Sequence, residues 1–307
     1  MKRTAALIVV FAVFFAVNYF YNTPEIQSPP SGREEYSGYT YNRIISLSPG
    51  ITETLFALGA GNRVIGVTRF CKYPPEAQEK EDVGGYLDPN FEAIAALNPD
   101  CVFVLHEQEE VHKYLYELQL KFVTVRDETL EDILDSVRTI GEVCGVEEKA
   151  GDIIAHIESR MQTVKDVTGG LPRVKVLISV GRNPGTGSLE DVYCAGRNTL
   201  YDELITCAGA VNAYDGHTIA YPVLSAEGLY HLNPDIIIDL IPDIDSRGLN
   251  KTAVIDDWQS IKGVAAVKNN RVHVLSSDYA VIPGLRFILF LEDMARLIHP
   301  DATWETL

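Results

Sequence analysis

A short phrase occurs twice in this chain, once in each half, and it restricts what the chain can fold into. The first copy is Asn90-Phe91-Glu92-Ala93-Ile94-Ala95-Ala96-Leu97-Asn98-Pro99-Asp100, followed by the apolar run Cys101–Leu105. The second is Ser225-Ala226-Glu227-Gly228-Leu229-Tyr230-His231-Leu232-Asn233-Pro234-Asp235, followed by the apolar residues 236–238. In both, a capping residue is followed two positions later by a glutamate. A short helix is then stopped by Leu-Asn-Pro-Asp, and a buried strand begins. Repetition in the same register predicts two similar lobes, each with one glutamate in the first turn of a helix.

The remaining pattern agrees. Residues 43–47, 64–67, 101–105 and 122–125 read as strands, with helices at 52–58, 111–118 and 130–144. Apolar strands alternating with helices predict a parallel sheet covered on both faces. Between 146 and 167, Ala150, Ile153, Ile154, Ile157, Met161 and Val164 recur at helical spacing, and Gly169-Gly170 and Pro172 end the run. Roughly 20 helical residues span about 30 Å, enough to connect two lobes. A second series follows, with strands at 174–180, 236–238 and 271–275 and helices at 199–207 and 285–298. The expected fold is α/β: an N-terminal lobe over 43–145, a connecting helix over 146–170, a C-terminal lobe over 171–300 and a tail over 301–307.

The first 22 residues read differently. Lys2 and Arg3 precede a continuous apolar stretch over 5–17, extended by Asn18-Tyr19-Phe20-Tyr21. This is the size of a secretory signal core, where a full membrane span needs about 20 apolar residues. No small-x-small cleavage site and no lipid-attachment cysteine follows, so both a cleaved signal peptide and an uncleaved anchor stand as readings. Residues 23–42, rich in Pro, Ser, Gly and Glu, read as a flexible linker. On either reading the bulk of the chain is expected to be periplasmic or otherwise extracytoplasmic.

The formal net charge of −17 argues against nucleic acid, whose phosphates need a basic surface. Five cysteines at irregular spacing, with no C-x-x-C, give no disulfide framework and no zinc or iron–sulfur pattern. Pairing of Cys194 with Cys207 is left open. The seven histidines form no i, i+4 pair, so no intrinsic metal or cofactor is expected. No Ser/His/Asp set suggests catalysis, and no catalytic residue is assigned. Gly185-Thr186-Gly187-Ser188 has a phosphate-cradle look but lacks the following lysine, and reads as a turn.

Alone, Glu92 and Glu227 suit the helix dipole and need no further role. The surrounding motifs add to this. Ser-Pro-x-x-Thr-Glu at 48–53, Tyr73-Pro74-Pro75, the two glutamate phrases and Ser277-Asp278-Tyr279 occur in an order that resembles the periplasmic substrate-binding proteins of ABC importers for iron complexes and vitamin B12. The resemblance spans about residues 43–299. It implies two Rossmann-like lobes joined by one long backbone helix, with ligand held between them. It also implies that Glu92 and Glu227 dock on arginines of a dimeric permease.

The transported ligand implied is a cobalt- or iron-containing complex: a ferric siderophore, haem or cobalamin. Phe70, Tyr86 and Tyr221 match positions whose aromatic rings stack on such ligands, a task that rings suit because they bury much area on a planar face. Asp278 and Arg286 match polar positions in vitamin B12 binders, although their spacing is wider here. Arg182, after a strand, suits a ligand carboxylate, and His106, ending a strand, suits a metal centre or ligand hydrogen bond. The rival readings are an anchored ligand sensor or scavenger without a permease, and a chelatase-like enzyme on the same scaffold. Scattered titratable groups and an export segment disfavour the enzyme.

Overall fold

A computed structural model of the chain describes residues 41–304. The signal or anchor expected over 1–22, nearly all of the linker and the last residues of the tail lie outside the described residues. Among the described residues, no helix is long and apolar enough to cross a membrane. They form two compact units. One contains the described residues up to Asp127 together with Glu131–Ala155; the other contains Glu128–Leu130 and His156 onward.

The first unit is built on five strands: β1 (Ile44–Ser46), β2 (Val64–Val67), β3 (Glu81–Asp82), β4 (Cys101–Leu105) and β5 (Phe122–Val125). Their order is β3-β2-β1-β4-β5 and every pairing is parallel. All five residues of β4 are buried, as a strand covered on both faces requires. Ile45, Leu47, Val102 and Val104 pack with Ile94, Val111 and Leu115 in one apolar cluster. The helix Leu130–Cys144 buries Ile133, Val137, Ile140 and Val143 along one stripe. At Gly141 a Cβ would stand 2.6 Å from the Cβ of Ala150, so glycine admits the close approach of the next helix. That helix, Glu147–Thr168, is 22 residues long, begins in the first unit and ends in the second.

The second unit contains β6 (Lys175–Gly181), β7 (Val192–Cys194), β8 (Val211–Asn212), β9 (Val223–Leu224), β10 (Ile236–Leu240) and β11 (Val272–Leu275). The order is β11-β10-β6-β7-β9, with β8 also paired to β6. β11, β10, β6 and β8 pair in parallel, whereas β7 and β9 are antiparallel additions at one edge. The purely parallel sheet expected from sequence is thus mixed here, because two strands of two or three residues carry too little periodicity to be seen. Trp258 is fully buried within a cluster of Leu177, Val192, Cys194, Leu229, Ile237 and Val264.

The duplicated phrase folds as its sequence dictates. Asn90 caps the helix Phe91–Ala96, its Oδ1 accepting the Ala93 N–H at 3.0 Å, and Ser225 caps Ala226–Leu232, its Oγ accepting the Gly228 N–H at 3.3 Å. Such a cap contributes about 1 kcal/mol. Both helices end in a left-handed asparagine, Asn98 at φ 46° and Asn233 at φ 44°, a conformation asparagine tolerates better than most residues. Each closing aspartate then grips the start of its unit's inner strand. Asp100 accepts the N–H groups of Asn42 and Arg43 at 2.8 and 3.0 Å, and its own N–H donates to the Arg43 carbonyl. Asp235 accepts the Lys175 N–H at 2.8 Å and donates to the Lys175 carbonyl.

Candidate functional site

In open α/β sheets, ligand-contacting groups gather beyond the carboxyl ends of the strands. In the first unit these ends carry Phe70, after β2, and His106, immediately after β4. Tyr86 is carried on the segment between β3 and the first glutamate helix. The Tyr86 hydroxyl donates to Glu107 Oε1 at 2.6 Å, and Gln108 Nε2 donates to the Tyr86 carbonyl at 2.7 Å. Gln108 is buried and its Oε1 accepts the Leu105 N–H, so Tyr86 is fixed to the end of β4 at two points. Phe70 is half-buried, with the Arg69 guanidinium 5.8 Å from its ring centroid. Arg69 also donates to Asp88 at 2.9 Å, two residues beyond Tyr86. The structure therefore ties Phe70 and Tyr86 into one network. His106 is exposed beside it.

In the second unit, β11 leads to Asp278, Tyr279 and Arg286. The Arg286 guanidinium makes two bonds to Asp278, at 2.9 and 3.1 Å, and lies 5.7 Å from the Tyr279 ring centroid. The Tyr279 hydroxyl donates to Asp293 at 2.6 Å. Burial works to raise the Asp278 pKa, but the bonds and charge of Arg286, with backbone N–H groups, outweigh it and hold the carboxyl below its usual value. Tyr221 is half-buried before β9. Its neighbour Tyr201 has a raised pKa, first from burial and then from Tyr221, and donates its hydroxyl to the Ala280 carbonyl at 2.9 Å. Tyr221 and the Asp278–Ala280 turn thus share a neighbour. The wider spacing of Asp278 and Arg286 did not separate them; it makes room for a turn that closes the pair.

Arg182 is a correction. Its side chain is 2% exposed and does not face a ligand. Nε donates to Asp239 at 2.9 Å, Nη1 to Asp257 at 2.6 Å and Nη2 to the Val254 carbonyl at 2.8 Å. Both carboxylates are fully buried, and a buried charge requires such partners. Burial would lower the Arg182 pKa; the two aspartates outweigh it and raise it. The glycine turn joins the same network. The N–H groups of Gly185 and Gly187 donate to Asp257 at 2.6 and 2.7 Å. The loop with a phosphate-cradle look is an anion nest whose anion is the protein's own aspartate.

All five cysteines are buried free thiols, so Cys194 and Cys207 are not joined. Among the described residues, no cluster of three or more His, Cys, Asp or Glu side chains is placed to hold a metal ion. Glu92 and Glu227 are exposed, and neither forms an ion pair among the described residues. Sequence reasoning missed Glu107 as the anchor of Tyr86, and missed Asp239, Asp257 and Trp258 altogether. A lone aspartate inside the apolar strand Ile236–Leu240 was the available signal for the last group.

The chain matches the family model described as periplasmic binding protein over residues 44–279. It is 30% identical over 268 residues to an uncharacterized ABC transporter substrate-binding lipoprotein, YvrC, of Bacillus subtilis, covering 84% of this chain and 80% of that one. It is 29% identical over 202 residues to the vitamin B12-binding protein of Salmonella typhimurium, covering 65% and 73%. Among solved structures, the periplasmic heme-binding protein RhuT from Roseiflexus sp. RS-1 superposes with a TM-score of 0.72 at 25% identity, covering 84% and 98%. With its two α/β units, its mostly parallel sheets and these relatives, the chain belongs to the periplasmic binding protein family.

Proposed function

We propose that the chain is an extracytoplasmic substrate-binding protein that delivers a metal–organic complex to the permease dimer of an ABC importer. The observation that carries the docking part is the matched pair of helix starts. Both copies of the phrase fold into a capped helix with an exposed, unpaired glutamate in the first turn. One such carboxylate per unit gives two anchoring points on a two-fold partner, and engaging both raises the effective concentration of the second contact.

Phe70, Tyr86 and Tyr221 supply ring faces to the ligand, with His106 and Asp278 as polar groups beside them. The arginines following strands favour a ligand of low net charge. Arg69, Arg126, Arg182 and Arg286 each pair with a carboxylate of the protein, so their charges are already balanced. A corrinoid, whose rim carries neutral amides, suits this better than haem propionates or an anionic siderophore. The named vitamin B12-binding relative supports the same choice.

The test has two arms. After incubation with cobalamin, haemin and ferric siderophores followed by desalting, the protein is expected to keep the cobalamin spectrum; retention of none of them refutes the ligand reading. In cells carrying the chain and its importer, Glu92→Lys with Glu227→Lys is expected to abolish uptake while leaving ligand retention intact. Uptake at the wild-type rate refutes the docking reading.

A further inference from the structure

We propose that Gly196 is a positioning residue for the ligand site, setting the direction of the Tyr221 ring through the backbone on either side of it. The inference rests on the reading of Tyr221 as a ligand contact and adds the device that aims it.

Tyr221 stands just before β9, and the antiparallel pairing of β9 with β7 runs on past both strands. Val192 and Tyr193 pair with Leu224 and Val223. In the same register the Cys194 N–H donates to the Pro222 carbonyl at 3.0 Å, and the Gly196 N–H donates to the Ala220 carbonyl at 2.7 Å. Tyr221 is therefore bracketed by two backbone bonds, one on each side. Side chains alternate between faces along such a ladder, so a slip of one residue would turn the ring to the other face. The bracket is itself fixed from behind. The Ala195 N–H donates to the Ile178 carbonyl of β6 at 3.0 Å. The Gly196 carbonyl accepts Thr199 Oγ1 at 3.0 Å and Asn212 Nδ2 at 3.2 Å. Thr199 and Asn212 are both buried, so neither can exchange its bond for one to solvent without cost.

Only glycine fits at this point of the clamp. A Cβ on Gly196 would stand 2.5 Å from the Ile219 carbonyl oxygen and 2.7 Å from that of Ala220. Both are backbone atoms, so relief requires moving the segment itself and not the tip of a side chain. Ile219 and Ala220 lead directly into Tyr221, so the ring moves with them. Ile219 is 42% exposed, and its side chain adds little that would hold the segment once the backbone clamp is lost. The clamp lies beyond the residues that form β7 and β9. What it holds in place is the segment that carries the ring.

The probe is cobalamin, titrated into the full chain by calorimetry. Gly196→Ala is expected to weaken binding about threefold to tenfold, the scale of one ring-face contact. Gly209→Ala is the control. Gly209 has a φ of 72° and a Cβ there would stand 2.7 Å from the Thr168 Cβ, but it lies in the turn into β8, beside the amino end of β6. That variant is expected to lower the unfolding midpoint and leave the affinity as it is. In a Tyr221→Ala background, Gly196→Ala is expected to weaken binding no further. Wild-type affinity in Gly196→Ala, or independent weakening in the Tyr221→Ala background, overturns the proposal. If Gly196→Ala does not fold, the wild-type chain decides. Cobalamin is then expected to slow amide hydrogen exchange at Cys194 and Gly196 more than at Ala213, whose N–H bonds to the Val176 carbonyl; equal slowing overturns it. Unchanged affinity in Tyr221→Ala refutes the reading of Tyr221 as a ligand contact and this inference with it. Weakened binding in Tyr221→Ala with none in Gly196→Ala sinks the positioning role alone.

Discussion

Arg182 is a point at which the second unit is vulnerable to a single substitution. Arg182→Met keeps most of the side-chain volume and removes the charge. Asp257 would still receive the N–H groups of Gly185 and Gly187. Asp239 would keep only the Trp258 Nε1–H, at 3.0 Å, and the Val254 carbonyl would lose its donor. Two fully buried carboxylates would then face each other's surroundings with no cation between them. Removing one partner of such a buried set costs about 3–5 kcal/mol. With a urea slope of roughly 2–3 kcal/mol per M, the unfolding midpoint should fall by about 1–2 M.

Tryptophan fluorescence reads the event directly, because Trp258 is buried in the network and its ring centroid is 5.3 Å from the Arg182 guanidinium carbon. The double variant Arg182→Met with Asp239→Leu should be less destabilised than Arg182→Met alone, since it removes the uncompensated charge as well. A loss below about 1 kcal/mol for Arg182→Met, or strict additivity in the double variant, refutes the reasoning. So does Arg182→Lys that keeps full stability yet no longer retains cobalamin, because that would return Arg182 to the ligand.

Two further outcomes follow from ionisation. The folded-state pKa of Asp278 is lowered, so its pair with Arg286 stabilises fully above the unfolded value of about 4 and is lost as pH falls through the lower folded value. The melting-temperature gap between wild type and Asp278→Asn should therefore close on acidification below about pH 4; a gap constant from pH 2 to 6 refutes the pair's role. Burial pushes the Cys144 and Cys194 thiols up to about 11 and about 12, so native protein at pH 8 should not react with a thiol reagent. Unfolded without reductant, it should release five thiols, whereas a count of three would show one disulfide.

What the sequence made legible was local. A capping Asn90 or Ser225, a Leu-Asn-Pro-Asp stop and an unbroken apolar run each specify their own neighbourhood, and the two helix–strand units appeared where expected. Partners distant along the chain were hidden. Arg182 follows a strand, which suggested a ligand contact, but Asp239 and Asp257 lie 57 and 75 positions away and claim it. Asp239 should have raised the question, since a charge within Ile236–Leu240 has to find a counter-charge on folding. Asp278 and Arg286 were singled out through resemblance; what the structure shows is that they pair with each other, because the helix Phe287–Ile298 begins just after Arg286 and turns it back over Tyr279.

The two ends of the repeated phrase have different reasons to be alike. At its C-terminal end, Asn98 and Asn233 adopt the left-handed turn, and Asp100 and Asp235 hold the two residues just before β1 and the first residue of β6. Folding accounts for that half. At its N-terminal end, capping is performed by Asn90 and Ser225, and Ile94 and Leu229 are fully buried. Glu92 and Glu227 take part in neither task. Their remaining structural value is the helix-dipole term, about 0.3–1 kcal/mol at an exposed site, which an aspartate or a glutamate elsewhere in the first turn would supply equally. Stability therefore does not explain why both units place a glutamate at the same offset, exposed and unpaired. The docking proposed above, on a partner with two like basic pockets, would account for it.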